Sequence, residues 1–196
     1  PDKVQLLKGS GVKLENFTNL KEPDGIPTIC FAARLLRDKG VYEFINAARI
    51  IKRKGIKAKF LLAGDLDINN PTSLNLEDLE IIKKEGFVEI LGHYKDIPKL
   101  FSRSNVICLP SYREGFPKIL IEAAACGRAV ITTDVPGCRD AIYNGVTGIL
   151  VPEKNAIVLA HAIKKLALNP NLYKEMGKKG RKMAENRFDE NNVISK

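Results

Sequence analysis

The chain has 196 residues, of which 44% are hydrophobic and 28% are charged, and its formal net charge is +9. These proportions are ordinary for a soluble globular protein, and no apolar run approaches the length of a membrane span. The length suits one domain, or one large half of a two-domain protein.

Apolar runs alternate with amphipathic segments along the chain, and short loops separate them. Runs that are apolar throughout are typical of parallel strands covered on both faces, so the alternation predicts an α/β fold with an open, mostly parallel sheet. The predicted strands are residues 3–7, 28–33, 59–63, 88–91, 106–109, 129–132 and 148–151. The predicted helices are residues 41–54, 76–84, 97–102, 117–126, 139–143, 156–167 and 171–186.

Four cysteines lie in or beside the apolar runs, and their spacing is not that of a metal site. We therefore interpret them as small buried side chains of a protein in a reducing cytoplasm. They are Cys30, Cys108, Cys126 and Cys138.

The stretch from Pro110 to Gly127 has the pattern of a strand end, a polar loop and the start of a helix. Pro110 and Gly115 interrupt the backbone after the apolar run, and Pro117 occupies a plausible first helical position. The free N–H groups and the positive dipole end of such a helix suit an anion such as a phosphate.

Two glutamates, Glu114 and Glu122, bracket this helix start with seven residues between them. Carboxylates repel a phosphate, but they accept hydrogen bonds from hydroxyl groups. A nucleotide sugar carries hydroxyl groups on both sides of its diphosphate, so it matches this arrangement. The alternative is that Glu114 is a solvated loop charge and Glu122 a salt-bridged helix residue.

Polar and glycine residues follow the predicted strands, where an open α/β sheet binds its ligand. Arg34 and Lys39 follow the strand at 28–33, and we expect both within reach of a diphosphate at the helix that begins near Lys118. For either residue, the alternative is a surface salt bridge of little energetic value.

Several short motifs of the chain belong together. They are Arg34-x4-Lys39-Gly40, Leu109-Pro-Ser111, Glu114-Gly-Phe-Pro-Lys-Ile-Leu-Ile-Glu122-Ala, Cys126-Gly127 and Gly145-x-x-Gly-x-Leu-Val151. Together they resemble the C-terminal, donor-binding domain of the retaining glycosyltransferases of family 4, which have the GT-B fold. The chain is similar in particular to bacterial members that build polysaccharides or glycans on a lipid-diphosphate carrier.

The resemblance implies a Rossmann-like, nucleotide-sugar-binding domain at residues 26–188. An interdomain linker with a leading strand would occupy residues 1–25, and a tail residues 189–196. No signal-peptide pattern opens the chain. Because the chain starts at Pro1 rather than at Met, we expect a fragment or a processed form.

The resemblance also implies roles for individual residues. Arg34 and Lys39 match the pair that binds the donor diphosphate, Glu114 the glutamate that contacts the transferred sugar, and Glu122 the one that holds the ribose hydroxyls. Pro117 departs from the commoner Gly of the family and removes one N–H donor. The loop at 92–94 matches the one near the nucleotide base. Further donor-binding positions are Gly64, Gly92, His93, Tyr94, Gly115, Phe116, Lys118 and Ile119.

The implied activity is transfer of a hexosyl or N-acetylhexosamine group from a nucleotide diphosphate sugar, with UDP as the expected nucleotide, and with retention at the anomeric carbon. A glycan or lipid-linked acceptor would bind an N-terminal domain that this chain lacks, so we expect the chain to bind donor but turn over slowly or not at all. Two alternatives stay open: a non-catalytic nucleotide-binding module, or a basic domain that binds anionic surfaces.

Neither a cofactor nor a metal ion is expected, because the family requires none. However, Asp65-Leu-Asp67 has the Asp-x-Asp form that binds a divalent metal in the other main glycosyltransferase fold. Here we interpret it as a polar loop.

Two basic clusters contribute to the net charge, one at residues 52–59 and one at 174–182. An anionic membrane surface, a phosphorylated substrate and solvated helix faces each fit them, whereas no nucleic-acid motif accompanies them. Lys174, Lys178, Arg181 and Lys182 recur at helical spacing, which predicts peripheral binding to anionic membranes or, equally, a solvated face. The expected location is the cytoplasm, at the inner face of the membrane.

Overall fold

Six strands form one sheet in which every neighbouring pair is parallel. The computed structural model describes residues 11–19 and 21–190, and the strand predicted at 3–7 lies outside them. The strands are β1 (Thr28–Ala32), β2 (Lys59–Ala63), β3 (Glu89–Gly92), β4 (Val106–Leu109), β5 (Ala129–Thr133) and β6 (Gly148–Val151). Their order across the sheet is β3-β2-β1-β4-β5-β6, which confirms the predicted Rossmann-like α/β fold.

Helices connect the strands and cover the sheet. Every residue of β1, β4 and β5 is buried, which explains why these strands are mostly apolar, with threonine at Thr28, Thr132 and Thr133. The helices are α1 (Val41–Arg53), α2 (Leu76–Glu85), α3 (Ile97–Ser102), α4 (Lys118–Ala125), α5 (Pro136–Ala141), α6 (Ala156–Ala167) and α7 (Pro170–Arg187), with short 3-10 helices at Leu14–Asn16 and Arg37–Lys39.

Most predicted boundaries agree with the structure to within one or two residues, and α3 agrees at both ends. Two predicted helix starts are wrong. Pro117 precedes α4 as its N-cap, because its ψ of 102° is extended rather than helical. Helix α5 begins at Pro136 rather than at 139, because a proline in the first helical position already has a helical φ.

The four cysteines are free thiols in the interior, as predicted. Burial raises the pKa of the Cys30 thiol to about 12. Burial also raises the pKa of the Cys126 thiol to about 11. Such thiols stay protonated at neutral pH and are therefore poor nucleophiles.

Residues 11–19 pack against the end of the chain. The Val12 amide donates to the Phe188 carbonyl at 2.7 Å, and Val12 joins an apolar cluster of α4 and α7. Arg181 fastens this junction, because its guanidinium donates to the carbonyls of Phe17 and Ala125. The prediction that Arg181 belongs to an exposed basic face of α7 is therefore wrong.

Candidate functional site

The strand order reverses between β1 and β4, so the loops after these two strands lie side by side. Hydrogen bonds to the Asp38 carbonyl help to join the loops: the Tyr112 amide and the Ser111 hydroxyl both donate to it, each at 2.9 Å. This junction brings Lys39 and Glu114, which are far apart in the sequence, within 2.6 Å of each other.

Two glycines allow the loops to approach so closely. A Cβ on Gly40, whose φ is 75°, would lie 2.0 Å from the Pro110 carbonyl oxygen. A Cβ on Gly137 would lie 2.3 Å from the carbonyl oxygen of Gly115. The sequence analysis did not identify Gly137 as a residue of the site, although the pair Pro136-Gly137 directly after a strand was a signal of unusual backbone packing there.

Each of the two cations predicted to bind a diphosphate is paired with a carboxylate. Lys39 donates to Glu114 at 2.6 Å, and their side chains are 25% and 11% exposed. Arg34 donates to Asp67 at 3.1 Å, and its side chain is 63% exposed. The interpretation of Glu114 as a solvated loop charge is therefore wrong. A phosphate that binds either cation must compete with a carboxylate for it.

The N-terminus of α4 is open to a ligand. The first N–H groups of a helix have no intrahelical partner, and no side chain caps this one, because its N-cap residue is Pro117. Lys118 and Ile119 supply the first of these groups. The Phe116 ring packs against Phe188, with 5.6 Å between ring centroids.

Several predicted donor-binding residues line one cavity of about 280 Å³ at the carboxyl edge of β1, β2 and β3. His93 lies at its rim, with Nδ1 2.6 Å from an Asp65 carboxylate oxygen. Ile97 contributes an apolar wall that the sequence analysis missed. Among the predicted residues, Arg34, Gly64, His93, Tyr94 and Ile119 line the cavity, whereas Gly92 ends β3 beside it.

Glu122 lies at a second cavity of about 260 Å³, which Lys13, Asn16 and Lys118 also line. Burial raises the pKa of the Glu122 carboxyl group, and the positive charge of Lys118 only partly opposes this. Within residues 11–19 and 21–190, the Glu122 carboxylate has no ion pair and no hydrogen-bond partner, so the interpretation as a salt-bridged helix residue is wrong. Its carboxylate is available to accept hydrogen bonds from a ligand.

The two carboxylates of Asp65-Leu-Asp67 do not act together. Asp65 contacts the His93 ring and Asp67 pairs with Arg34, so each carboxylate already has a different partner. Within the part of the chain that the structure describes, no group of three or more His, Cys, Asp or Glu side chains is placed to hold a metal ion. These contacts favour the interpretation of this segment as a polar loop.

Sequence comparison assigns most of the chain to one family, since the model of the glycosyl transferases group 1 matches residues 12–183. A capsular polysaccharide biosynthesis glycosyltransferase of Staphylococcus aureus, CapM, is 35% identical over 82% of this chain and 42% of its own length. The N,N'-diacetylbacillosaminyl-diphospho-undecaprenol alpha-1,3-N-acetylgalactosaminyltransferase of Campylobacter jejuni is 34% identical over 100% of this chain and 53% of its own length. The chain thus spans about half the length of these relatives.

Structure comparison gives the same result for the fold. The sucrose-phosphate synthase of Thermosynechococcus elongatus superposes with a TM-score of 0.84 and 27% identity, over 96% of this chain and 49% of the other. The Anabaena protein HepE, in complex with UDP-glucose, superposes with a TM-score of 0.81 and 19% identity, over 94% of this chain and 54% of the other.

Proposed function

The chain belongs to the glycosyl transferases group 1, and on this premise we propose that it is the donor-binding half of a retaining enzyme that uses a nucleotide diphosphate sugar. The observation that carries the proposal is the Lys39–Glu114 pair, in which Glu114 lies in the loop that leads into the uncapped N-terminus of α4. A cation and an open helix start suit a diphosphate, and a carboxylate suits the hydroxyl groups of the attached sugar.

In this proposal each part of the donor has its own contacts. The diphosphate takes Lys39 and Arg34 away from their carboxylate partners and also accepts from the N–H groups of Lys118 and Ile119. These groups stabilise the negative charge that develops on the diphosphate as the sugar departs, and preorganised donors of this kind are a large contribution to catalysis. Once Lys39 has turned to the phosphate, Glu114 is free to accept from sugar hydroxyls.

The nucleoside would occupy the two cavities that meet at the first turn of α4, where Ile119 lines one and Lys118 the other. Glu122, which has no ion pair within the described residues, would accept from the ribose hydroxyls. The base would enter the cavity lined by Gly64, His93 and Tyr94, whose floor is apolar and whose rim is polar. The positive charges of Arg34 and Lys39 and the dipole of α4 supply the neutralisation that a metal ion gives in other diphosphate sites, so this proposal needs no cofactor.

We propose UDP as the nucleotide and a glycan or lipid-linked molecule as the acceptor. The first choice is supported by the UDP-glucose named for HepE, and the second by the diphospho-undecaprenol acceptor named for the Campylobacter jejuni relative. The acceptor would bind a part of the protein outside this chain, so the chain alone is expected to bind donor and to show little turnover.

Calorimetric titration of the chain with UDP, GDP and ADP, and with their sugars, tests the proposal. The expected result is micromolar-to-millimolar binding of one nucleotide, weakened in the Lys39→Ala variant. If no nucleoside diphosphate binds, the donor-binding proposal is wrong. A non-catalytic nucleotide-binding module would also bind a nucleoside diphosphate. In that case, the Glu114→Gln variant of the whole protein would transfer sugar at the same rate as the unchanged protein.

A further inference from the structure

A dense basic cluster lies at the edge of the sheet opposite the candidate site. Here α1 ends, the chain turns, and β2 begins, so these residues are on the amino side of the sheet. All five cations are exposed. We call this cluster the amino-edge patch, and its members are Lys52, Arg53, Lys54, Lys57 and Lys59.

Nearby acidic side chains do not neutralise the amino-edge patch. Glu85, at the end of α2, accepts three hydrogen bonds from the Arg49 guanidinium. Glu89, at the start of β3, pairs with Arg103 at 3.0 Å. Among residues 11–19 and 21–190, no carboxylate lies within ion-pair distance of any member of the patch. Its five positive charges therefore face solvent together.

Two of the cations line a cavity of mixed polar and apolar character. Lys52 and Lys59 line this cavity of about 330 Å³ together with Ile56, Phe87 and Glu89, whose carboxylate is paired with Arg103. The Ile56 and Phe87 side chains are only partly buried, so apolar surface is accessible beside the lysines. The amino-edge patch thus combines unpaired cations with accessible apolar side chains.

The dipole of α1 explains only part of this cluster. Lys52 and Arg53 lie in the last helical turn, where cations stabilise the negative end of the dipole. Lys57 and Lys59 lie beyond Gly55, after the helix has ended, and neither lies in the last turn of α1. A cluster that extends past the helix points to a negatively charged partner.

We propose that the amino-edge patch binds the surface of a bilayer that contains anionic lipid. Lipid phosphates would meet the lysines and the arginine, while the partly exposed Ile56 and Phe87 side chains would lie against the boundary between headgroups and acyl chains. Nucleic acid is a weaker match, because it needs a basic groove that follows a phosphate backbone, whereas these cations lie beside accessible apolar side chains. This inference does not depend on the proposed donor site.

Two variants with the same change in net charge test the proposal. In the patch variant, all five members of the amino-edge patch are replaced by Gln. In the control variant, five exposed lysines of α6 and α7 that have no ion pair within the described residues are replaced by Gln: Lys164, Lys165, Lys174, Lys178 and Lys182. Because the sequence also offered the α7 lysines as a membrane surface, the two variants decide between that face and the amino-edge patch.

Sedimentation with vesicles measures binding, using phosphatidylcholine alone or mixed with phosphatidylglycerol at low salt. Each cation near an anionic bilayer strengthens binding by about fivefold. We therefore expect the patch variant to bind mixed vesicles at least about a hundredfold more weakly than the wild-type chain. The control variant should keep most of its binding, and high salt should abolish binding of all three proteins.

Several results would overturn the proposal. The first is an equal loss of vesicle binding in the patch and control variants. The second is wild-type binding that is the same for neutral and mixed vesicles. The third is tight binding of duplex DNA that only the patch variant loses. Thermal unfolding checks that the patch variant folds. If it does not fold, the Lys54→Glu/Lys57→Glu double variant replaces it, with the same loss of vesicle binding expected.

Discussion

Replacing Glu114 by Gln is expected to strengthen the binding of UDP to this chain. The carboxylate of Glu114 holds Lys39 at 2.6 Å, so a phosphate can bind Lys39 only by displacing it. Gln has nearly the same shape as Glu and still accepts a hydrogen bond, but it carries no charge. The variant therefore removes the carboxylate that competes with the phosphate for Lys39. It also removes the repulsion between that carboxylate and the phosphate, while the loop geometry stays unchanged.

The size of the gain follows from the burial of the pair. Exposed ion pairs contribute about 0–1 kcal/mol, and hydrogen bonds to charged groups contribute about 1.5–3 kcal/mol. The Lys39 side chain is 25% exposed and the Glu114 side chain 11%, which places this pair between the two cases. After subtraction of the hydrogen bond that Gln still makes, the net gain is about 0.5–1.5 kcal/mol, or roughly three- to tenfold in affinity.

Isothermal titration calorimetry with UDP measures this gain directly. Glu85→Gln is a matched control, because Glu85 is also ion-paired but lies at the opposite edge of the sheet, with Arg49 as its partner. In a Lys39→Met background, Glu114→Gln should give a smaller gain, since only the repulsion is relieved. Unchanged or weaker UDP binding by Glu114→Gln, with Lys39 present, would refute the competition between carboxylate and phosphate.

Three further changes test other parts of the site. Arg34→Ala should weaken UDP binding by about 1–3 kcal/mol, because a charge-assisted hydrogen bond is lost. Asp67→Asn frees Arg34 from its partner and should not weaken UDP binding. Calorimetry with UDP compares the two variants. Because burial raises the pKa of Glu122 above its ordinary value of 4.5, UDP binding should weaken as the pH falls towards that raised pKa, and Glu122→Gln should bind weakly at every pH tested. Gly40→Ala should lower the free energy of unfolding in urea far more than Gly55→Ala, because both have a positive φ but only Gly40 has a backbone oxygen within 4 Å of the added Cβ.

The strands and most helices could be predicted because local sequence determines them. Parallel strands buried on both faces must be apolar throughout, and β4 at Val106–Leu109 is a clear example. The strand order could not be derived in the same way, since it depends on which helix crosses which face of the sheet. The start of α5 was missed because Pro136-Gly137 is typical of a loop, whereas here Gly137 is helical and lies against the backbone of Gly115.

The residues of the candidate site could be predicted, but their pairing could not. The sequence indicated that Arg34, Lys39 and Glu114 belong to one edge of the sheet. It did not indicate that Lys39 and Glu114 form an ion pair, because that contact depends on hydrogen bonds from Tyr112 and Ser111 to the Asp38 carbonyl. The roles of these residues towards a donor stay predictions until ligand binding is measured.

The paired carboxylates offer a physical reason why two cations can lie beside a helix N-terminus before a ligand binds. Two positive charges beside the positive end of a helix dipole would repel each other and the dipole if nothing neutralised them. Asp67 and Glu114 supply that neutralisation in the structure. Because phosphate oxygens offer the same cations comparable charge-assisted hydrogen bonds, donor binding becomes an exchange of one anion for another. Such an exchange carries little net cost for the cations, and it releases Glu114 only when a diphosphate has taken its place at Lys39.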